Sequence, residues 1–276
     1  MFAIARAPLR VSFFGGGTDY PEYYQREPGA VVGAAIDRYI YIAGSTILWL
    51  ADYRYRVSYS QTERVAEIKD IEHPVVREAL KRFYYSDSLD LNIFSDIPAR
   101  TGLGSSSTFT TCLLRLMAHM NGAEMGPMDL AMKAHHMERD VLKENVGIQD
   151  QLHASFGGVN RFDFFEDQVS CMPVRLSGLG QQALSQSMHL VFTNKTRSAS
   201  ETLDEQIQGT VSKKLDKDLR ELYAMVGECV RVLENPRPHD MIDDLGRMMH
   251  EGWQIKKRLS NKISNDHVDE IYDRAR

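Results

Sequence analysis

A chain of 276 residues with 43% hydrophobic and 26% charged residues has ordinary globular composition and room for one large or two modest domains. Its net charge of −5 disfavours a nucleic-acid partner, and no apolar run approaches membrane-spanning length. Three scattered cysteines, Cys112, Cys171 and Cys229, fit neither a CxxC metal site nor a disulfide framework, which suits a reducing compartment.

The opening MFAIARAPLR sets its arginines too close to a short apolar patch for a secretory signal, and Ala3 to Phe14 reads as a strand. Gly15, Gly16 and Gly17 follow, then Thr18, Asp19 and Tyr20. Glycines after a strand let a backbone approach something closely, and Asp is a natural acceptor for sugar hydroxyls. The same residues also suit a strained turn with Asp19 capping a short helix that starts at Pro21. Residues 30–50 read as strands, Tyr53 to Tyr59 as a half-buried strand by its alternation, 62–72 as a charged loop, and Val75 to Phe83 as a helix opened by Pro74.

The central stretch is Ser95 to Gly122. A β-like lead-in, Leu89 to Phe94, precedes a loop that bends at Pro98 and Gly102. Gly102, Leu103, Gly104, Ser105, Ser106 and Ser107 then run into apolar residues at helical spacing, from Phe109 to Met120. A glycine-containing loop that feeds a helix N-terminus presents free N–H groups and a positive dipole end to an anion. A capped helix after a turn accounts for the same residues. The Gly-Lys-Ser/Thr ending of a Walker A loop is lacking, so any phosphate here is held by backbone amides and serines.

Pro127 opens the next helix, where Leu130, Ala134, Met137, Val141 and Leu142 form one stripe. Glu138 falls inside that stripe, where a carboxylate must be paired, metal-bound or lining a polar cavity, unless it merely marks the stripe's edge. Gly147 ends the helix, and Asp150 stands at the start of the next apolar-periodic segment, a position a helix cap also occupies. Arg161 to Phe165 and Val169 to Leu176 predict a hairpin turning at Glu166-Asp167. Met188 to Thr193 predicts a buried strand leading into a polar segment from Asn194 to Ser200. Three amphipathic helices are expected at 218–234, 239–259 and 266–276.

PLRVSFFGGGTDY, PARTGLGSSS and ERDVLKENVGIQDQ together resemble the GHMP kinases over essentially the whole chain. GGGTDYPEYY and the later TRSAS are most similar to the sugar-phosphate branch of that family. The resemblance implies an α+β, two-domain fold. Residues 1–184 would be a ribosomal protein S5 domain 2-like N-terminal domain with the ATP phosphate loop. Residues 185–276 would be a ferredoxin-like-type C-terminal domain. Members of the family usually carry a third, glycine-rich motif near the C-terminus. Here the last glycine is Gly252, so that domain is expected to be incomplete, and the helix at 266–276 and the strand at 188–193 to lack partners.

The resemblance also implies roles. Gly102 to Ser107 would wrap the ATP phosphates, and Ser106 and Glu138 would hold Mg²⁺. Asp150 would be the catalytic base with Arg10 beside it, and Gly16, Gly17, Thr18 and Asp19 would contact the sugar. Arg197 is assigned to a distal phosphate from its charge and its place after an expected strand. The implied reaction moves the γ-phosphoryl group of ATP to the anomeric hydroxyl of a heptose 7-phosphate. The partners are then ATP and a small sugar phosphate, without nucleic acid or membrane, in the cytoplasm. The oligomeric state stays open, a homodimer being the candidate assembly. A galactokinase- or fucokinase-like kinase of an unphosphorylated sugar is the alternative within the class. A catalytically silent sugar/ATP-binding regulator is the alternative outside it.

Overall fold

The computed structural model describes residues 1–46, 52–84, 88–99, 101–193, 199–260 and 262–276, with side chains from 204 onward in the helix that begins at Ala199. In chain order the elements are β1 (Phe2–Phe14), α1 (Pro21–Tyr24), β2 (Gly29–Ser45), β3 (Tyr55–Ser58), β4 (Thr62–Val65), a 3-10 turn (Ile68–Asp70), α2 (Pro74–Phe83) and β5 (Leu89–Ser95). Then come α3 (Ser105–Met120), α4 (Pro127–His136), a π-helical segment (Met137–Val141), α5 (Gln149–Phe156), β6 (Val159–Phe165) and β7 (Gln168–Pro173). Helices close the chain: α6 (Gly178–Ser187), α7 (Ala199–Val211), α8 (Asp216–Leu233), α9 (Pro238–Leu259) and α10 (Asp266–Ala275). No helix among the described residues is long and apolar enough to cross a membrane.

The chain divides into two compact units, one from Met1–Arg10 and Ala35–Gly157, the other from Val11–Ala34 and Gly158–Arg276. This differs from the expected boundary at residue 184. The reason is that β1 and β2 are long strands, 13 and 17 residues, and each contributes one end to each unit. A linear reading that looks for a linker cannot find a division made inside strands.

In the first unit, Ile40 to Ser45 of β2 pair antiparallel with β5, β5 pairs parallel with β3, and β3 pairs antiparallel with β4. Strand alternation puts Ala3, Ala5, Ala7 and Leu9 of β1, Ile40 and Ile42 of β2, and Leu89 and Leu91 of β5 into one core. Helices α2, α3 and α4 contribute Val76, Leu80, Leu113, Leu116, Met117 and Leu130 to it. The alanines of β1 are small enough to seat α3 close to the strand, and the hydroxyl of Thr108 donates to the carbonyl of Pro8 at 3.3 Å. Residues 62–65, expected as loop, form the edge strand β4. Of its two charges Arg64 lies on the exposed face, whereas Glu63 is buried and accepts from the backbone of Glu72 and His73.

In the second unit, Gly29 to Ala34 pair antiparallel with β6, and β6 and β7 form the expected hairpin. Its core gathers Phe13, Phe14, Val32, Leu219, Leu222, Val226, Cys229, Met241 and Leu245, mostly from the facing stripes of α8 and α9. Arg26 clamps Asp216 at the start of α8 at 2.8 and 2.5 Å. The three C-terminal helices match expectation; α6 and α7 were not expected, being polar and short of apolar periodicity.

Met188 to Thr193 does not form the expected strand. It has no regular secondary structure, and Leu190, Val191 and Phe192 are exposed. A short apolar run carries no periodicity to distinguish a buried strand from an irregular connection. Asn194 to Ser198, with Arg197, lies outside the described residues.

Candidate active site

Helix α3 starts on Gly104, whose φ of 76° is left-handed, so no side chain caps this end. Its first-turn N–H groups open onto the loop, which suits an anion. Gly102 also has a positive φ, 78°. The two glycines differ in their surroundings. A Cβ on Gly102 would meet nothing within 4 Å, whereas one on Gly104 would lie 3.1 Å from an Asp150 carboxylate oxygen and 3.5 Å from the Arg10 side chain. Gly102→Ala is therefore expected to cost about 1 kcal/mol in backbone strain alone. Gly104→Ala should cost more and also displace Asp150. Melting curves and turnover of the two variants check this, Gly104→Ala being the one that loses both.

Arg10 ties this end of the unit together. Its guanidinium meets the Asp150 carboxylate at 2.6 and 2.7 Å and donates to the carbonyl of Gly102 at 2.9 Å, while its backbone N–H donates to the carbonyl of Leu103 at 3.2 Å. Side-chain exposure is 12% for Arg10 and 23% for Asp150, so the carboxylate is held yet reachable. One turn further along α5 lies His153, fully buried. Burial, with the nearby positive charge of Arg10, pushes its pKa down to about 3, so it stays neutral and is a poor proton acceptor at physiological pH.

A second polar cluster lies where the apolar stripe carried Glu138. The chain there is a π-helical segment, which adds a residue to one turn and re-aims the side chains it carries. Glu138 is fully buried. Its carboxylate accepts from the Ser107 hydroxyl at 2.7 Å, the Thr110 hydroxyl at 2.6 Å and the Gln151 amide at 2.5 Å. Burial raises its pKa to about 7, against the lowering effect of those three bonds. Among the described residues no three His, Cys, Asp or Glu side chains group as a metal site. One buried carboxylate with hydroxyl neighbours nonetheless suits Mg²⁺, which takes one or two protein oxygens and completes its shell with phosphates and water.

The structure thus brings together Arg10, Asp150, Gly102, Leu103 and Gly104, and separately Glu138 with Ser107. Ser106, expected beside Glu138, is exposed in the first turn of α3, and Ser105 is half-buried. The serine on the carboxylate is Ser107, one position along, because a helix turns each residue by about 100°. Gly16, Gly17, Thr18 and Asp19 belong to the second unit. There Thr18 is fully buried, its hydroxyl donating to the carbonyls of Gly15 and Ala30 at 2.8 and 2.9 Å, and Asp19 accepts from the N–H of Gly17 at 2.9 Å. Asp19 does not cap the short helix; Tyr20 holds that position without a side-chain bond. Thr110 and Gln151 went unnoticed in the sequence. The signal for Thr110 was a run of buried hydroxyls, Ser107, Thr108, Thr110 and Thr111, in an otherwise apolar helix.

Residues 69–158, which span α2 to α5, match the family model described as GHMP kinases N terminal domain. A D-glycero-alpha-D-manno-heptose 7-phosphate kinase of Campylobacter jejuni is 29% identical over 98% of this chain and 81% of its own length. A galactokinase of Thermosipho africanus is 22% identical over 97% of this chain and 81% of its own. Among solved structures, a D-glycero-D-manno-heptose 1-phosphate kinase from Bacteriodes thetaiotaomicron superposes with a TM-score of 0.69 at 24% identity, covering 94% of this chain and 80% of that one. Streptococcus pneumoniae phosphomevalonate kinase gives a TM-score of 0.71 at 12% identity, covering 95% and 82%. The fold is the α+β fold of the GHMP kinases.

Proposed function

We propose that this chain is an ATP-dependent sugar-phosphate kinase that phosphorylates the anomeric hydroxyl of a heptose 7-phosphate, giving the 1,7-bisphosphate. The observation that carries the reading is the Arg10–Asp150 pair built onto the Gly102–Gly104 turn. It sets a reachable carboxylate beside a helix end suited to phosphate. The likeness to a heptose 7-phosphate kinase supports the substrate class.

Phosphoryl transfer asks a protein chiefly for positioning and charge neutralisation. Here the amides of the Gly102–Ser107 turn hold the nucleotide phosphates. Asp150 takes the proton of the anomeric hydroxyl as its oxygen bonds to the γ-phosphorus and the bond to the β-phosphate oxygen breaks, releasing ADP. An anomeric hydroxyl is more acidic than an ordinary one, so a carboxylate suffices as base. Arg10 holds that carboxylate in place and aims it. Glu138, with a serine of the first turn of α3, is the set that would hold Mg²⁺, whose chemistry is to neutralise the phosphate oxygens. Gly16, Gly17, Thr18 and Asp19 are proposed to contact the sugar through the backbone of their turn and the Asp19 carboxylate, since the Thr18 hydroxyl is engaged with the backbone.

ADP release measured over heptose 7-phosphate, heptose 1-phosphate, heptose and galactose tests the assignment. The expected result is a kcat/KM for the 7-phosphate higher than for unphosphorylated heptose by about 10²-fold, the size of one charge-assisted phosphate contact. Arg197→Ala should raise KM for the phosphorylated sugar and leave KM for ATP nearly unchanged. Equal kcat/KM for the two heptoses favours the galactokinase-like alternative, which the Thermosipho likeness keeps in view. No turnover with any of the four sugars, with nucleotide still bound, favours a silent regulator.

A further inference from the structure

We propose that Gln151 is a positioning residue whose amide locks the Glu138 carboxylate to α5, the helix that carries Asp150. The proposal rests on the kinase reading and assigns a residue that reading does not use. Gln151 is fully buried. Its amide nitrogen lies 2.5 Å from Glu138 Oε2 and 3.1 Å from Ser107 Oγ, and Ser107 Oγ lies 2.7 Å from the same carboxylate oxygen. Three side chains from α3, the π-helical segment and α5 thus close a triangle on one oxygen atom. Thr110 alone holds the other oxygen among the described residues, at 2.6 Å.

The neighbour of Gln151 in the chain is Asp150, fixed by Arg10. A short helix of eight residues, Gln149–Phe156, is therefore pinned at two consecutive residues, once at each of the two polar clusters. Rotation of α5 about its axis breaks one contact or the other, so the carboxylate near the nucleotide phosphates and the carboxylate that accepts the proton keep a fixed spacing.

A purely structural amide would have both ends bonded, since buried polar groups rarely go unmatched. Gln151 does not follow that rule. Its carbonyl oxygen Oε1 is buried and has no hydrogen-bond partner among the described residues. An acceptor left open beside a buried carboxylate suits a site that takes in a donor, such as a water molecule carried with a metal–nucleotide. It does not suit a core, where an apolar residue of the same volume packs at less cost.

The test is calorimetric titration of ADP, with Mg²⁺ and with EDTA, into the full chain and into Gln151→Met and Gln151→Asn. Methionine keeps the volume and removes both polar atoms; asparagine keeps the amide and withdraws its reach. The ratio of the two affinities reads the carboxylate's orientation, and a loss of packing alone does not move it. Both variants are expected to lose about tenfold or more of the Mg²⁺-dependent gain, as partners behind a metal ligand typically do. Their metal-free affinity should stay within about twofold of the parent. In steady state the KM for Mg·ATP should rise while the KM for sugar holds.

Folded variants that keep the Mg²⁺ gain overturn the role of Gln151 and leave the kinase reading standing. If neither variant folds, Gln151 is a packing residue and the proposal falls. If the parent chain shows no Mg²⁺-dependent nucleotide binding, the kinase reading fails, and the role of Gln151 with it.

Discussion

Asp150→Asn is expected to lower turnover by about 10²–10⁴-fold, the range a positioned general base contributes. The substitution is nearly isosteric and keeps one oxygen for the Arg10 guanidinium, which now meets Asp150 at 2.6 and 2.7 Å. Arg10 also donates to the Gly102 carbonyl at 2.9 Å, so the phosphate turn keeps its own tether and nucleotide affinity should change little. The amide nitrogen of asparagine has no affinity for a proton at neutral pH, so the chemical step suffers while the ground state does not. Single-turnover phosphorylation with saturating ATP, beside ADP binding, separates the two. A variant with unchanged turnover would remove Asp150 from the reaction and leave it as the anchor of Arg10.

Glu138→Gln is expected to abolish Mg²⁺-dependent tightening of nucleotide binding and, in the same protein without metal, to raise stability. The two effects share a cause. Burial pushes the folded-state pKa of Glu138 from 4.5 up to about 7. Between those values the folded chain holds a proton that the unfolded chain releases, so this group's contribution to stability falls as pH rises through that window. It stays at its least favourable level above about pH 7. The shift corresponds to roughly 3 kcal/mol at pH 8, by about 1.4 kcal/mol per pKa unit. Glutamine is neutral at every pH and escapes this term. The variant should therefore melt roughly 5–10 °C above the parent at pH 8 without metal. The difference should shrink to nothing near pH 4.5. Added Mg²⁺ with ADP should raise the melting temperature of the parent and not of the variant. A variant that melts below the parent at pH 8 would mean that the hydrogen bonds from Ser107, Thr110 and Gln151 outweigh desolvation.

Much of the site was legible because its chemistry sits in adjacent residues. The Gly102–Ser107 turn, the helix it feeds and the carboxylate on an apolar stripe can each be read from spacing. What spacing cannot give is angular phase through an irregular turn. The π-helical segment at Met137–Val141 rotates everything after it, and an α-helical template carries no sign of that insertion. That Glu138 bonds the hydroxyl of Ser107 could not be read from spacing for a related reason. Ser106 and Ser107 both lie in the first turn, and only the direction from which Glu138 arrives decides which hydroxyl meets it. Gln151 was missed because one buried glutamine beside a catalytic candidate has no periodicity to betray it. The edge strand β4 was hidden by charge, since Thr62, Glu63, Arg64 and Val65 alternate too briefly to show a face.

The chain's division into two units, each assembled from two separated stretches, has a consequence for how it is made. Residues 11–34 leave the ribosome early, but the strand and helices they pack against begin at residue 158. At ordinary elongation rates that interval is on the order of ten seconds. Through it Phe13, Phe14, Val31 and Val32, all buried in the finished protein, must wait in an unfinished nascent chain while the intervening residues complete their own unit. Early termination before residue 158 leaves this segment without its partners. No single cut in the gene yields either unit with all its parts. A rearranged gene that joins residues 11–34 to 158–276 through a new linker is the form in which the second unit has a route to folding alone.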